Sequence, residues 1–245
     1  MRICHHYQAI VDLVSGDVLA YEALARFTDG DVEERLAEIA ASGPAALRAF
    51  DALSVYAAAQ GALPWLPSGA RLFLNVTGAT VDALASGAGW PRSPAGLRVL
   101  WELPEDRPGV TACLRPEALA RLVQSGPEIA LDDLGEGVAD LRRIAELGHA
   151  AWWKLGRGLV HGIARTPQRR SLLASMGRLA PRLIAEGVED PADIAVLREV
   201  GVRYGHGFAL GRPAAAPEGA AVAAALKGGG ADARCVPAQA LKGGV

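Results

Sequence analysis

The 245-residue chain has few cysteines, no excess charge of either sign and no long apolar run. Cys4, Cys113 and Cys235 follow no metal-ligand spacing and cannot all pair, which excludes a disulfide-built secreted domain. Lys and Arg number 25 against 27 Asp and Glu, a net charge of −2. Binding to a nucleic-acid polymer needs a strongly basic surface, so that class is excluded. The apolar stretches fall short of the roughly 18 residues of a transmembrane helix, and no membrane association is expected. The opening Met1-Arg2-Ile3-Cys4-His5-His6 has no apolar core of an export signal, so a cytoplasmic location is expected. Half the residues (51%) are apolar, enough to bury a substantial core. The length suits one (β/α) barrel or two small domains.

Short apolar runs alternate with longer Ala-, Leu- and Arg-rich segments, the pattern of βα units. Strands are expected at 7–13, 18–24, 71–75, 97–102, 128–132, 151–155, 182–186 and 201–205. The first two flank Ser15-Gly16-Asp17, a short glycine-containing turn that implies an antiparallel hairpin. Helices are expected at 32–42, 45–62, 116–124, 138–147, 168–179, 191–199 and 216–226. Ile194, Leu197 and Val200 show the three-residue stepping of an outer helix packed on a barrel. Eight strands with interleaved helices point to a single α/β TIM-like (β/α)8 barrel with an antiparallel first hairpin. That domain spans 1–226, and the Gly/Ala-rich segment 227–245 reads as a flexible C-terminal tail.

Polar residues stand at or near the ends of these strands: Glu22, Asn75, Glu102, Asp132, Asp133, Lys154 and Glu186. In a barrel the strand C-termini converge on one face, so five carboxylates, one amide and one ammonium would share a mouth. Carboxylates so close cannot all stay ionised without cations. All-oxygen ligands favour Mg2+ or Mn2+ over zinc, and adjacent Asp132 and Asp133 could serve two ions, as in two-metal phosphoester hydrolysis. Taken singly, each residue has an ordinary explanation. A strand-end Glu is usually solvated or capping, Asp132-Asp133 before Leu134-Gly135 suits a cap and turn, and Lys154 could snorkel to the surface. Their coincidence at successive strand ends favours a shared site.

The order of motifs resembles the EAL-domain family of cyclic-di-GMP phosphodiesterases from about Tyr7 to Pro213. Glu22-Ala23-Leu24-Ala25-Arg26 carries the family's name. It is followed by Leu74-Asn75-Val76-Thr77, Glu102-Leu103-Pro104-Glu105, Ile129-Ala130-Leu131-Asp132-Asp133, Lys154-Leu155, Ala185-Glu186-Gly187-Val188-Glu189 and the closing Gly207-Phe208-Ala209-Leu210-Gly211-Arg212-Pro213. The family fold, a TIM-like barrel with one antiparallel strand, agrees with the hairpin inferred from the turn.

The resemblance implies that cyclic di-GMP is opened to linear pGpG by in-line attack of hydroxide on one phosphorus, with two Mg2+ or Mn2+ ions. It implies Glu22, Asn75, Glu102 and Asp132 as ligands of the first ion, with Asp132 bridging to the second. Asp133 and Glu186 would lie at the second ion. Lys154 would hold or help activate the water, and Glu105 would brace the loop after Asp133. Arg26 would contact a substrate phosphate through its fixed guanidinium fork, and Gln8 and Leu24 would touch the ligand. His206 stands where the family has a glutamine beside the metals, and its imidazole would shift preference toward Mn2+. The pattern departs from the family at Leu134 (for Phe), Glu136 (for Thr), Gly156 (for Asp) and His206. Those departures sustain an alternative: a catalytically weak or inactive EAL module acting as a cyclic-di-GMP receptor or protein-interaction domain. A third reading is hydrolysis of another phosphodiester. A homodimer and a regulatory protein partner are both compatible with the family pattern.

Overall fold

A computed structural model of the protein describes residues 3–28, 30–89, 96–103, 127–136, 150–180 and 182–216. The expected helices at 116–124 and 138–147, nearly all of that at 216–226, the tail 227–245 and Glu105 lie outside the described residues.

Eight strands close into one barrel in sequence order: β1 (Ile3–Asp12), β2 (Val18–Phe27), β3 (Arg71–Asn75), β4 (Arg98–Leu103), β5 (Glu128–Leu134), β6 (Trp152–Leu155), β7 (Leu183–Ala185) and β8 (Tyr204–Gly205). The strands from β2 to β8 pair in parallel, while β1 runs antiparallel to both β2 and β8. This is the expected TIM-like barrel with its reversed first strand.

The hairpin is longer than the sequence pattern suggested. Ile3 pairs with Phe27 and Cys4 with Arg26, whereas β2 meets β3 only from Tyr21 to Ala23, so the ribbon overhangs the barrel. The last strand is shorter than the expected 201–205. Gly201, at φ +86°, ends the preceding helix: its N–H donates to Arg198 O and the Val202 N–H donates to Leu197 O. That is the double bond of a Schellman cap, so the apolar Val202 closes a helix instead of extending a strand.

Helices α1 (Val32–Ala41), α2 (Pro44–Ala62), α3 (Gly78–Ala85), α4 (Arg157–Val160), α5 (Pro167–Leu179) and α6 (Pro191–Glu199) complete the described regular structure, with a 3-10 turn at Ile163–Arg165. Helix α3 has no counterpart among the expected elements, because eight residues starting on glycine carry little periodic signal. Pro191 at the first position and Asp190, which accepts from Ala192 N–H, start α6 directly after the Glu186 loop. Helix α2 lies close against β1 because Ala58, Ala59, Ala62 and Gly61 present no bulk. The Tyr7 hydroxyl donates to Ala58 O at 2.6 Å, in space that a side chain at Gly61 would fill.

Two cores result. The larger fills the shell between strands and helices, and the smaller plugs the barrel with Ile10, Ala20, Phe73, Leu100, Ala130, Trp152 and Ile184, against which Tyr204 packs. Among the described residues no helix is long and apolar enough to cross a membrane.

Candidate active site

Side chains alternate across a strand, so the residue two positions from an interior residue faces inward as well. Stepping two residues toward the mouth from each member of the interior plug reaches Gln8, Glu22, Asn75, Glu102, Asp132, Lys154, Glu186 and His206 in turn. Every strand, or the residue just past it, thus places at least one polar group at the same end. The plug beneath them closes the barrel floor.

Lys154 is the hub. Its Nζ lies 3.2 Å from Glu22 Oε1, 2.6 Å from Glu102 Oε1, 2.8 Å from Asp132 Oδ1 and 2.8 Å from Glu186 Oε1, with the side chain 1% exposed. Burial opposes its charge, but the carboxylates of Asp132, Glu102, Glu186 and Glu22 hold its pKa well above the ordinary lysine value. Burial and the Glu22 charge push the Glu102 carboxyl well up. Burial likewise pushes Asp132 to about 7, against the pull of Lys154. Glu186 is also penalised by burial, yet Lys154 and the His206 hydrogen bond hold it below the carboxylate range. His206 loses charge through burial but regains it from Glu186 and Glu22, so its pKa rises. One cluster therefore contains carboxyls driven in opposite directions, the signature of more negative charge than the local cations offset.

His206 Nε2 sits 3.0 Å from Glu186 Oε1, and Nδ1 sits 3.2 Å from Gln8 Oε1. Gln8 Nε2 donates to Gly211 O at 2.9 Å, which places Gln8 behind His206. The turn carrying His206 lies so close to Val188 that a Cβ on Gly207 (φ +149°) would meet the Val188 backbone at 2.2 Å. Asn75 Nδ2 donates to Glu102 Oε2 at 2.8 Å, which leaves its carbonyl oxygen as the atom that could accept a cation. Asp133 adopts φ +55°, in the left-handed region, where the β5–β6 register shifts between Leu131 and Leu134. That irregularity brings two consecutive carboxylates to one end, where plain alternation would point one away.

The donor set fits divalent cations. Ligand atoms of Glu22, Glu186 and His206 lie within 4.8 Å of one another, as do those of Asp132, Asp133 and Glu186. Among the described residues buried Glu22 Oε2 has no hydrogen-bond partner, with His206 Nε2 3.6 Å away. These oxygen-rich groups suit hard cations.

A cleft of about 760 Å3 opens beside the cluster and is lined by Glu22, Leu24, Arg26, Asn75, Asp132, Asp133, Glu186 and His206, together with residues of α1 and α2. Gln8, Glu102 and Lys154 lie beneath its wall. The departures are accounted for in the structure. Leu134 is buried in the outer core, and the Glu136 carboxylate accepts from Gly158 N–H. A Cβ at Gly156 would lie 2.6 Å from Glu136 Cγ, so Glu136 occupies the space a side chain at 156 would take.

Sequence reasoning missed Asp51. Its carboxylate accepts from Thr77 N–H (2.8 Å), Thr77 Oγ1 (2.7 Å) and Thr80 Oγ1, holding the turn that follows Asn75. The signal was available: an acid on the apolar stripe Leu47, Phe50, Val55 and Ala58 of α2.

The closed barrel and its lysine-centred acidic mouth define a TIM-like barrel protein whose site lies at the strand C-termini. A family model described as EAL domain matches residues 1–213, and the chain belongs to the EAL domain family. It is 26% identical to BlrP1 of Klebsiella pneumoniae, solved as a manganese/cy-diGMP complex. That alignment covers 87% of this chain and 56% of that one, with a TM-score of 0.69. The bifunctional diguanylate cyclase/cyclic di-GMP phosphodiesterase MucR of Pseudomonas aeruginosa is 32% identical over 99 residues, 39% of this chain and 14% of that protein. An uncharacterized protein of Azorhizobium caulinodans is 27% identical over 231 residues, 84% of this chain and 31% of that protein. The chain therefore spans less than a third of the length of these two curated relatives.

Proposed function

We propose that this protein hydrolyses cyclic di-GMP to linear pGpG with two divalent cations, Mg2+ or Mn2+. The observation that carries the reading is the convergence of Glu22, Glu102, Asp132, Asp133 and Glu186 on the wall and floor of one cleft, around Lys154. The likeness to the manganese/cy-diGMP complex of BlrP1 supports it. Glu22, Asn75, Glu102 and Asp132 would hold the first cation, with Asp132 shared, and Asp133 and Glu186 the second. Bound cations would offset the carboxylate repulsion and act as Lewis acids on the phosphoryl oxygen.

The chain's own residues do the rest. Arg26 binds a non-bridging phosphate oxygen, and Leu24 packs on the ligand. Gln8 acts from behind, fixing the His206 ring and, through Gly211, the closing loop. Lys154 is held as a cation, so it donates a hydrogen bond and orients the attacking water; it does not serve as the base. Water adds to phosphorus, the P–O3′ bond breaks, and the proton released by the water ends on the departing 3′ oxygen. Glu105 would brace the loop after Asp133. His206, in contact with Glu186, would favour Mn2+ over Mg2+. A cytoplasmic location belongs to the same proposal.

The test is incubation of the protein with cyclic di-GMP and either metal, following pGpG by chromatography. Product with wild type and none with Glu22→Ala is the expected result; no product with either metal sinks the enzyme reading. The second reading, a receptor or interaction module, is favoured by the Glu136 contact with Gly158, which ties the residue three after Asp133 to the start of α4. Calorimetric binding of cyclic di-GMP in Ca2+ without turnover in Mg2+ or Mn2+ would establish it. A panel of other phosphodiesters addresses the remaining possibility.

A further inference from the structure

Stepping two residues from the interior plug away from the mouth reaches Arg71 from Phe73, Arg98 from Leu100, Glu128 from Ala130 and Arg182 from Ile184. These four inward-facing residues gather at the end of the barrel opposite the acidic cluster. Arg98 Nη2 lies 3.0 Å from Glu128 Oε1, and Arg182 Nη1 lies 3.4 Å from Glu128 Oε2. Trp152 Nε1 donates to the same Oε2 at 2.9 Å, and the Arg182 guanidinium lies over the Trp152 ring, 4.7 Å from its centroid. Half-buried Arg71 stands directly opposite Arg98 in the β3–β4 register, so two like charges are neighbours. Among the described residues no carboxylate pairs with Arg71, and its Nε has no hydrogen-bond partner. Arg203 at the same end is already matched, with Nε 2.7 Å from Asp12 Oδ2.

Residues at this end of a barrel ordinarily serve stability, and a purely stabilising layer would match its charges. Here three guanidiniums share one carboxylate, an excess of two positive charges. Like charges directly opposite on neighbouring strands are destabilising. The groups are open to solutes, since the Arg98 and Arg182 side chains are 57% and 49% exposed. Guanidinium forks match the oxygens of a phosphate. Free phosphate and the terminal phosphate of a nucleotide are largely dianions above neutral pH, which cancels the excess, whereas a phosphodiester or a single carboxylate carries one charge. We infer that Arg71, Arg98 and Arg182 form a binding site for a phosphate dianion, at the opposite end of the barrel from the cleft. The site is independent of the cyclic-dinucleotide reading and stands or falls separately from it.

The test is calorimetric titration of the full chain with inorganic phosphate near pH 8 in EDTA, where the ion is doubly charged, at one fixed low ionic strength because exposed charges are screened. Wild type should bind, and Arg71→Gln and Arg98→Gln should each bind at least about tenfold more weakly, the loss of a charge-assisted hydrogen bond. Arg98 is exposed enough that its replacement costs the fold little, which keeps the test valid if Arg71→Gln folds poorly. Arg26→Gln, at the other end of the barrel, should bind phosphate as wild type does, and dimethyl phosphate, a monoanion, should bind wild type more weakly than phosphate. GMP binding more tightly than phosphate assigns the site to the terminal phosphate of a nucleotide; GMP binding no more tightly assigns it to the free ion. Absence of phosphate binding by wild type overturns the inference. So does binding that survives in folded Arg71→Gln and Arg98→Gln, or that is lost only in Arg26→Gln, which would place the anion in the cleft. Binding of a Glu-rich peptide without binding of phosphate also overturns it, in favour of a docking surface for an acidic protein segment.

Discussion

Replacing Lys154 by Met asks whether one buried ammonium holds the mouth together. Nζ contacts four carboxylates at 2.6 to 3.2 Å and is almost wholly buried. Methionine keeps much of the apolar stem, so the main loss is the charge. Removing one partner of a buried ion pair costs about 3–5 kcal/mol, because the remaining charge stays desolvated. Asp132 sets the scale independently. Even with the ammonium in place its carboxyl rises from 3.8 to about 7, which corresponds to about 4 kcal/mol between protonation states.

The sign follows from linkage. A carboxyl with a raised folded-state pKa binds its proton more tightly in the folded chain, so its penalty is absent below about pH 4 and complete above about pH 7. Without Lys154, Asp132 and Glu102 rise further and the penalty grows at neutral and alkaline pH. In EDTA at pH 8 the variant should melt about 10 °C below wild type, taking a few degrees per kcal/mol for a domain of this size. The gap should narrow at pH 5, and excess Mn2+ at pH 8 should restore part of it, since cations replace the missing charge. Thermal melts by circular dichroism read all three. A melting temperature within about 2 °C of wild type at pH 8, or a gap that widens on acidification, would refute the argument.

Other perturbations follow from the same geometry. His206→Gln exchanges an imidazole for an amide beside Glu186 and should raise the ratio of Mg2+- to Mn2+-supported hydrolysis of cyclic di-GMP; an unchanged ratio makes His206 a bystander. Gly156→Ala puts a Cβ 2.6 Å from Glu136 Cγ. Combining it with Glu136→Ala should be less destabilising than the sum of the singles by about 1 kcal/mol, measured as a urea double-mutant cycle, with additivity as the contrary result. Asp51→Ala strips the acceptor from Thr77 N–H, Thr77 Oγ1 and Thr80 Oγ1 and should cost about 3 kcal/mol in urea unfolding. Asp51→Asn, which keeps an acceptor oxygen, should cost less, and equal losses would argue against the hydrogen bonds as the cause.

Much of this architecture was legible from the chain alone. Alternation of apolar runs with helical segments specifies the βα order, and the glycine turn at Gly16 specifies the reversed first strand. The period-2 rule assigns polar residues at strand ends such as Glu102 and Glu186 to the inward face, because neighbouring side chains must point to opposite sides. All these signals are local, spanning a few residues or one element.

What depends on distance in space was hidden. The strand ends pointed to a shared mouth, but nothing near Lys154 in sequence announces that its Nζ contacts Glu22, Glu102, Asp132 and Glu186 directly, or that Glu186 is thereby kept ionised while Asp132 is driven up. The Asp51 clamp on Thr77, 26 residues away, and the His5–Ser54 pair, 49 residues apart, arise only when α2 packs on the hairpin and on the turn after β3. The same holds for Glu136 in the space left by Gly156. Local pattern determined which residues face inward, apart from Asp133, which the β5 irregularity turns to the mouth; closure of the barrel decided which of them touch. Only contact sets the Coulomb and desolvation terms that give each group its charge.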